Sequence, residues 1–243
     1  MQIEPLLTCQ DLSLSRGGQT VLREVNLQVN PGDVIGLIGR NGAGKSSLIE
    51  SLLGFHTLDH GSVRLWDTPV RELQAQHKRR IALVTQRDEL MEGLTGNQQI
   101  TLISSFYDNW DAELTQRLLS TWELPTTRPI RSYSLGQRQR LAIVLALAAR
   151  PQLLVLDEPV ASLDPLARSQ FLGEMRELIA DPQRAVIISS HIVGDLEAMV
   201  NRVWLLDHGR MRWAGAIDDI GELSTTLGDE PVSLEQVFRQ VIG

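Results

Sequence analysis

Short apolar segments separated by polar turns run along most of this chain. Thr8–Leu14 and Val25–Val29 alternate apolar and polar residues, as half-buried strands do. Val34–Ile38 is apolar throughout, which is typical of a strand buried on both faces. Four more candidate strands follow: Arg80–Thr85, Leu153–Leu156, Val186–Ser189 and Val203–Leu206. Because helical patterns lie between several of them, the chain is predicted to be an α/β protein built on a parallel sheet.

The stretch 95–149 departs from this alternation. It contains three helix-like patterns and no strong strand pattern: Asn97–Phe106, Ala112–Glu123 and Leu135–Ala149. We therefore predict a single domain, 1–243, in which residues 95–149 form a helical subdomain inserted into a core made of 1–94 and 150–243. The first strands alternate in the way an antiparallel β subdomain would. Near the end of the chain, Leu234–Val241 has the pattern of a short amphipathic helix.

Composition excludes several classes of protein. The 243 residues are 42 % hydrophobic and 22 % charged, with a net charge of -7, so a nucleic-acid binder driven by overall positive charge is not expected. Cys9 is the only cysteine, which excludes a disulfide framework and a multi-cysteine metal site. The longest apolar run, Leu141–Ala149, is too short to cross a bilayer. With no signal-peptide pattern at the start, a cytosolic location is the expectation.

The chain almost avoids lysine, since it has 21 arginines and two lysines, Lys45 and Lys78. Lys45 lies in a glycine-rich segment after Val34–Ile38 that has the spacing of a phosphate-binding loop. The segment is Gly39, Arg40, Asn41, Gly42, Ala43, Gly44, Lys45, Ser46 and Ser47. Its glycines let backbone N–H groups turn towards phosphate oxygens, and the following helix adds its positive end. Lysine supplies a compact charge where the fork of arginine would fit poorly.

Two further segments carry candidate chemistry. Leu153–Leu156 leads into Asp157 and Glu158; beside a phosphate loop, the first carboxylate suits a magnesium site and the second could polarise an attacking water. Ser134 and Gly136 open the helix-like pattern of 135–149, where a hydroxyl at a helix N-terminus either caps the helix or binds an anion.

In order and spacing these features resemble the ATP-binding subunit of an ATP-binding cassette (ABC) transporter, over nearly the whole chain. The resemblance identifies Gly39–Ser46 as Walker A, Leu153–Asp157 as Walker B and Tyr133–Gln137 as the signature motif. It implies a P-loop NTPase core that binds ATP and Mg²⁺. It also gives single residues a role: Glu158 as the catalytic base, Gln86 as the glutamine of the Q-loop, Asp164 in the D-loop, and His191 as a donor to the γ-phosphate.

The resemblance further implies partners and a mechanism. Two copies would pack head to tail, with each ATP between the phosphate loop of one copy and the signature residues of the other, namely Ser134, Leu135, Gly136 and Gln137. Ser46, Gln86 and Asp157 would hold the metal. A separate transmembrane permease would dock near residues 87–94, which places the chain at the cytoplasmic face of the plasma membrane.

Some positions depart from the family pattern. Arg16 stands where an aromatic residue usually stacks on adenine, and its flat guanidinium can stack in the same way. Tyr133 and Leu135 replace the commoner leucine and glycine of the signature. The form of that signature and the tail Ser233–Phe238 favour the exporter branch. The alternatives are an importer ATPase and a soluble cassette ATPase acting on ribosomes or DNA.

Overall fold

The structure is a computed structural model that describes residues 4–86, 89–161, 163–190 and 199–223, and the single positions 194, 197, 234 and 236. In chain order its strands are β1 (Leu7–Arg16), β2 (Gln19–Val29), β3 (Val34–Ile38), β4 (His60–Leu65), β5 (Thr68–Pro69), β6 (Ile81–Val84), β7 (Leu153–Asp157), β8 (Ala185–Ser190), β9 (Arg202–Asp207) and β10 (Arg210–Ala216). Its α-helices are α1 (Lys45–Leu52), α2 (Ala75–Lys78), α3 (Gly96–Ser104), α4 (Ala112–Thr121), α5 (Leu135–Ala148) and α6 (Pro165–Ile179). The predicted α/β class is confirmed.

The chain divides into two compact units. The first, which we call the loop unit, comprises residues 1–73 and 185–243. The second, the signature unit, comprises residues 74–184 and therefore contains β6, β7 and the helices α2 to α6. The predicted helical stretch 95–149 lies within the signature unit. The predicted helix Leu234–Val241 and the tail Ser233–Phe238 lie largely outside the described residues.

The loop unit has an antiparallel sheet in the order β2-β1-β4-β5, as the alternating pattern predicted. It also has a set of strands around β3, which pairs in parallel with β8 on one side and β9 on the other. Every residue of β3 and β8 is buried, which explains why these segments are apolar without alternation. The glycine-rich loop begins directly after the carboxyl end of β3.

A tight turn joins β9 to β10 and supports that loop. His208 and Gly209 both have positive φ, 45° and 73°, as a two-residue hairpin turn of this twist requires. The N–H of Gly209 donates to the carbonyl of Ala43 (2.9 Å), and its carbonyl accepts from the N–H of Arg23 (2.9 Å). The turn therefore connects the glycine-rich loop to β2 through backbone atoms alone.

In the signature unit, β6 and β7 pair in parallel from Ile81 opposite Leu153 to Val84 opposite Leu156. The three helices predicted between 95 and 149 are present, with ends that differ by one or two residues. Helix α5 buries most of its length, including the apolar run that begins at Leu141, and it packs on α3, α4 and β6. That run is a helix covered on most sides, which is why it shows little amphipathic periodicity.

Strands β4, β5 and β10 were not predicted from the sequence. In β10 no residue is fully buried and exposed arginines alternate with half-buried residues such as Trp213. In β4 the first three residues are exposed and only Val63 and Leu65 are buried. Strands that bury so few apolar side chains produce no clear alternating pattern.

A pair of glycine substitutions tests the role of the hairpin turn in stability. Gly17 and Gly209 both have positive φ, but a Cβ at Gly17 meets nothing within 4 Å, whereas one at Gly209 would overlap the backbone oxygen of Val21. We expect Gly17→Ala to lower the free energy of unfolding by about 1 kcal/mol, the ordinary cost of a left-handed alanine. Gly209→Ala should lower it by about 3 kcal/mol because a backbone must move. Urea unfolding followed by circular dichroism measures both free energies. Equal losses of stability in the two variants would contradict the close approach of Gly209 to the backbone of Val21.

Candidate functional site

The glycine-rich loop of the loop unit is shaped by close backbone approach. A Cβ at Gly39 would overlap the backbone oxygen of Leu206 and would lie 3.1 Å from the Cβ of Ala43. Gly44, the last residue before α1, has φ 106° and lies against Val21 and Leu22, so a side chain there would be both strained and crowded. Glycine is therefore required for space at position 39, and for both space and conformation at position 44.

The N-terminus of α1 has the features of an anion site. The helix begins at Lys45, and its N-cap Gly44 offers no side-chain hydrogen bond to the first turn. The first turn also has no acidic residue, which would repel a negatively charged ligand. Because the first four N–H groups of a helix have no partner within the helix, they are aimed at whatever lies before Lys45. A phosphate group matches both their charge and their hydrogen-bonding needs.

Lys45 is held within the loop that precedes it. Its side chain is buried, and Nζ donates a hydrogen bond to the carbonyl of Gly39 at 2.8 Å. This contact places the ammonium group between the two ends of the loop, where a compact charge fits. Ser46, the next residue, is exposed at the start of α1, and Ser47 is half-buried. Arg40, Asn41 and Gly42 form the exposed tip of the loop.

Arg16 lies beside α1, with 51 % of its side chain exposed. Its Nη2 is 3.1 Å from Oε2 of Glu50 on α1 and 2.5 Å from Nε2 of His56. Nε2 of His56 is itself 2.6 Å from the same carboxylate oxygen. When that nitrogen carries a proton it donates to Glu50 and cannot accept from Arg16, so the carboxylate is the shared partner. The position predicted to contact adenine is therefore an arginine oriented by Glu50.

The end of β7 in the signature unit carries two buried carboxylates. Asp157 is the last residue of the strand and Glu158 follows it, with exposed fractions of 4 % and 7 %. Glu158 has φ 51° and precedes Pro159, a combination that is unfavourable for a residue with a side chain. Strained backbone of this kind is retained where the direction of a side chain matters.

Gln86 lies two residues beyond the end of β6 and is exposed. The chain continues through positions 87 and 88, outside the described residues, to the predicted docking segment. There Met91 is 53 % exposed, while Leu90 and Leu94 are half-buried. Leu90 also lines a cavity of about 180 Å³ with residues of β6, α3 and α5. Among these three apolar residues of the predicted docking segment, Met91 is thus the one presented to solvent.

The signature residues open α5. The hydroxyl oxygen of Ser134 accepts from the N–H of Gln137 (3.2 Å), and the side chain of Gln137 accepts from the N–H of Ser134 (3.0 Å). This reciprocal pair is a capping box, so Gln137 has a structural role. The Ser134 hydroxyl still has its proton to donate. Leu135 is 61 % exposed and Gly136 half-buried.

Tyr133 anchors this helix start from behind. It is buried, and its hydroxyl donates to the carbonyl of Pro125. A Cβ at Gly96, the first residue of α3, would lie 2.5 Å from that hydroxyl and 2.9 Å from the Cα of Thr126. Burial raises the pKa of Tyr133 above its ordinary value, so the hydroxyl keeps the proton that it donates. Tyr133, which replaces the commoner leucine of the signature, therefore packs the signature segment against the start of α3.

Asp164 caps α6, as the sequence indicated. Its Oδ1 accepts from the N–H of Ala167 at 2.9 Å, and this bond lowers the pKa of the carboxyl below its usual value. Another predicted site residue, His191, lies outside the described residues.

Several residues at these sites escaped sequence reasoning. Glu50 and His56 carry no motif, and only the fold brings them to Arg16. Gly96 is likewise recognisable only once Tyr133 is seen against it. The His208-Gly209 turn did carry a signal, since a two-residue turn with glycine between apolar strands is a hairpin pattern.

The residues that the structure describes lack two kinds of feature. They contain no cluster of three or more histidine, cysteine, aspartate or glutamate side chains able to hold a metal ion. Nor does any helix within those ranges have the length and apolar character needed to span a bilayer.

Known proteins resemble the chain over most of its length. A family model described as ABC transporter matches residues 22–161. The ABC transporter ATP-binding protein YtrB of Bacillus subtilis (strain 168) is 28 % identical over 217 residues, which is 89 % of this chain and 74 % of YtrB. The Nod factor export ATP-binding protein I of Cupriavidus pinatubonensis is 29 % identical over 209 residues, 84 % of this chain and 64 % of that protein. A solved structure of the ATP-binding subunit of an ABC transporter has 30 % identity and a TM-score of 0.84, covering 97 % of this chain and 99 % of that one.

A second pair of glycine substitutions tests how Tyr133 is positioned. Gly96→Ala forces the tyrosine hydroxyl or the backbone at Thr126 to move, whereas a Cβ at Gly93 meets nothing within 4 Å. We expect Gly96→Ala to lower the free energy of unfolding by about 2 kcal/mol, since the buried hydroxyl loses its partner. Gly93→Ala should change it by less than about 0.5 kcal/mol. Chemical denaturation curves of the two variants provide the comparison. If Gly96→Ala left the free energy of unfolding unchanged, the close contact between Gly96 and the Tyr133 hydroxyl would be refuted.

Proposed function

The chain belongs to the ABC transporter family as an ATP-binding subunit with ATPase activity, and on that basis we propose that two copies close head to tail around two ATP molecules to drive export through a separate membrane subunit. The observation that carries the proposal is the start of α1. There a helix without a side-chain cap follows a loop that needs glycine at positions 39 and 44, and the buried Lys45 bonds back to Gly39.

In this proposal the loop unit binds the triphosphate of ATP. The N–H groups at the start of α1 and the ammonium of Lys45 meet the phosphate oxygens, which need several donors and positive charge. All eight loop residues from Gly39 to Ser46, together with Ser47, contribute to this cradle. Arg16, oriented by Glu50, stacks its guanidinium on the base. Because half of the arginine side chain is exposed, it binds the base less tightly than a buried aromatic ring would.

The carboxylates at the end of β7 supply the hydrolytic chemistry in this scheme. Glu158 accepts the proton of the attacking water, and its strained backbone aims the side chain. Gln86 and His191 orient the water and the γ-phosphate. Ser46, Gln86 and Asp157 present oxygen ligands, the kind that Mg²⁺ prefers, and a magnesium ion supplies charge neutralisation on the phosphates when bound. A small number of protein ligands fits Mg²⁺, which keeps water and phosphate oxygens as its other ligands.

The signature residues act on the ATP of the second copy. Ser134 keeps a hydroxyl proton at an exposed helix N-terminus, and Gly136 leaves the backbone accessible. Both contacts require a γ-phosphate, so ATP stabilises the closed dimer and hydrolysis releases it. The exposed Leu135 and Asp164 at the start of α6 lie on surfaces that a second copy would cover.

Export is the direction we propose for transport. Among its relatives, the Nod factor export ATP-binding protein I is named for export. The membrane subunit would dock at residues 87–94, where the exposed Met91 offers an apolar contact. Docking there holds the chain at the cytoplasmic face of the membrane as a peripheral subunit, and nucleic acid has no part in the scheme.

The lysine at position 45 provides the sharpest single-residue test. Lys45→Arg should lower the rate of ATP hydrolysis by at least about 100-fold, because a guanidinium cannot enter the space between Gly39 and α1. The control is Lys78→Arg, the same substitution at the other, exposed lysine, which should leave the rate unchanged. Steady-state phosphate release measures both. Normal turnover by Lys45→Arg would overturn the assigned role.

The role of Glu158 is tested by separating hydrolysis from binding. Glu158→Gln should reduce hydrolysis by about 100-fold or more while ATP binding persists, since the amide cannot accept the proton of water. The variant should therefore accumulate as an ATP-bound dimer, visible in sedimentation velocity. Glu113→Gln, on the exposed face of α4, is the control. If Glu158→Gln hydrolysed ATP at the normal rate, another group would have to be the base.

A further inference from the structure

The signature unit contains a polar cavity at the amino-terminal edge of β6 and β7, with a volume of about 370 Å³. Loops from four parts of the unit form it: the residues after α2, the segment between α3 and α4, the end of α5, and the loop before β8. Its charged lining consists of four arginines and two aspartates: Arg79, Arg80, Arg150, Arg184, Asp108 and Asp181. The wall thus has an excess of positive charge in a chain whose net charge is -7.

The two aspartates of the wall neutralise it only weakly. Asp108 pairs with Arg79 (Oδ2 to Nη1, 2.7 Å), but its side chain is 78 % exposed. Asp181 pairs with Arg184 (Oδ2 to Nε, 3.2 Å), and its side chain is 39 % exposed. Ion pairs on the solvent side of a cavity are screened by water, so they do little to offset the arginine charges inside.

Arg150 is held in the wall by a strained backbone. It follows α5 with φ 47°, a conformation that usually selects glycine at this position. Its guanidinium reaches Oδ2 of Asp111 through Nε (2.8 Å) and Nη2 (2.5 Å). The same carboxylate accepts the N–H of Leu114 at 2.7 Å as the N-cap of α4. Asp111 therefore shares its charge between a helix end and one arginine.

The other arginines have surroundings that favour the arrival of an anion. Burial lowers the pKa of Arg80. Burial also lowers the pKa of Arg184, against the opposing effect of Asp181 and with a further contribution from the charge of Arg150. Nε of Arg80 donates to the neutral side chain of Gln152 at 2.7 Å. A ligand with negative charge would relieve both the repulsion between Arg150 and Arg184 and the cost of burying them.

We propose that this cavity binds a compact polyanion that carries phosphate or carboxylate groups. Guanidinium forks bind both groups through paired N–H donors. The neutral amide side chains of the lining, Gln76, Asn109 and Gln183, offer further hydrogen bonds. The volume falls in the range of sites for small molecules, which favours a small anion over a folded partner.

The cavity is separate from the residues proposed for hydrolysis. Arg80 and Gln152 come directly before β6 and β7, whereas Gln86 and Asp157 lie at or beyond the opposite ends of the same strands. Four to five residues of extended strand span about 15 Å. The anion site is therefore a second site and not an extension of the first.

Calorimetric titration of the full chain tests the proposal with two probes, inorganic pyrophosphate and citrate. The titrations use the Lys45→Ala background, so that the phosphate loop does not contribute to binding. We expect one molecule of probe per chain with a dissociation constant of about 1 mM or tighter. Arg184→Gln should weaken binding by about tenfold or more, the effect of losing a charged hydrogen bond.

Two further variants complete the design. Arg79→Gln removes an exposed arginine of the rim and should weaken binding in a protein whose fold is not at risk. Arg176→Gln removes the same charge from the exposed face of α6, away from the cavity, and should bind like its parent. Retention of tight binding by both cavity variants would overturn the proposal, as would equal weakening by Arg176→Gln, or the absence of binding of either probe at about 10 mM.

Discussion

The shape of the phosphate loop depends on the absence of a side chain at Gly39. The backbone oxygen of Leu206 occupies the space that a Cβ would need, and the N–H of Gly209 donates to Ala43 at 2.9 Å, so the loop is held against the β9–β10 hairpin by backbone atoms. Backbone contacts of this kind do not depend on rotamers, and they fix the loop before any ligand arrives. The ammonium group of Lys45 donates a hydrogen bond to the carbonyl of Gly39 and so joins the two ends of the loop.

The helix ends proposed to meet phosphate differ in their caps. Helix α1 begins without a side-chain cap, so its first N–H groups are available to phosphate. Helix α5 begins with the reciprocal pair of Ser134 and Gln137, which satisfies the N–H groups of these two residues. The Ser134 hydroxyl proton and the N–H groups of the next two residues remain to be offered. The first end suits tight binding of a triphosphate. The start of α5 suits an additional contact that forms when a γ-phosphate is bound and is lost when it is hydrolysed.

Much of this was predictable from the sequence, and the limits have physical causes. β3 and α1 were predicted because buried strands and helices leave apolar patterns, and the loop between them because phosphate binding restricts the residue types. β10 escaped because an edge strand with arginines buries little. The pairing of Arg16 with Glu50 and the contact of Gly96 with Tyr133 could not be predicted, since they join residues 34 and 37 positions apart through the fold alone.

The central claim is that each ATP contacts the phosphate loop of one copy and the signature residues of the other. Mixing two inactive variants, Lys45→Ala and Gly136→Asp, tests it directly by ATP hydrolysis. In a head-to-tail dimer the mixed pair contains one site with an intact loop and an intact signature, so activity should appear on mixing that neither variant has alone. If hydrolysis stays at the level of the separate variants although mixed dimers form, the site is built within one copy and the head-to-tail arrangement is contradicted.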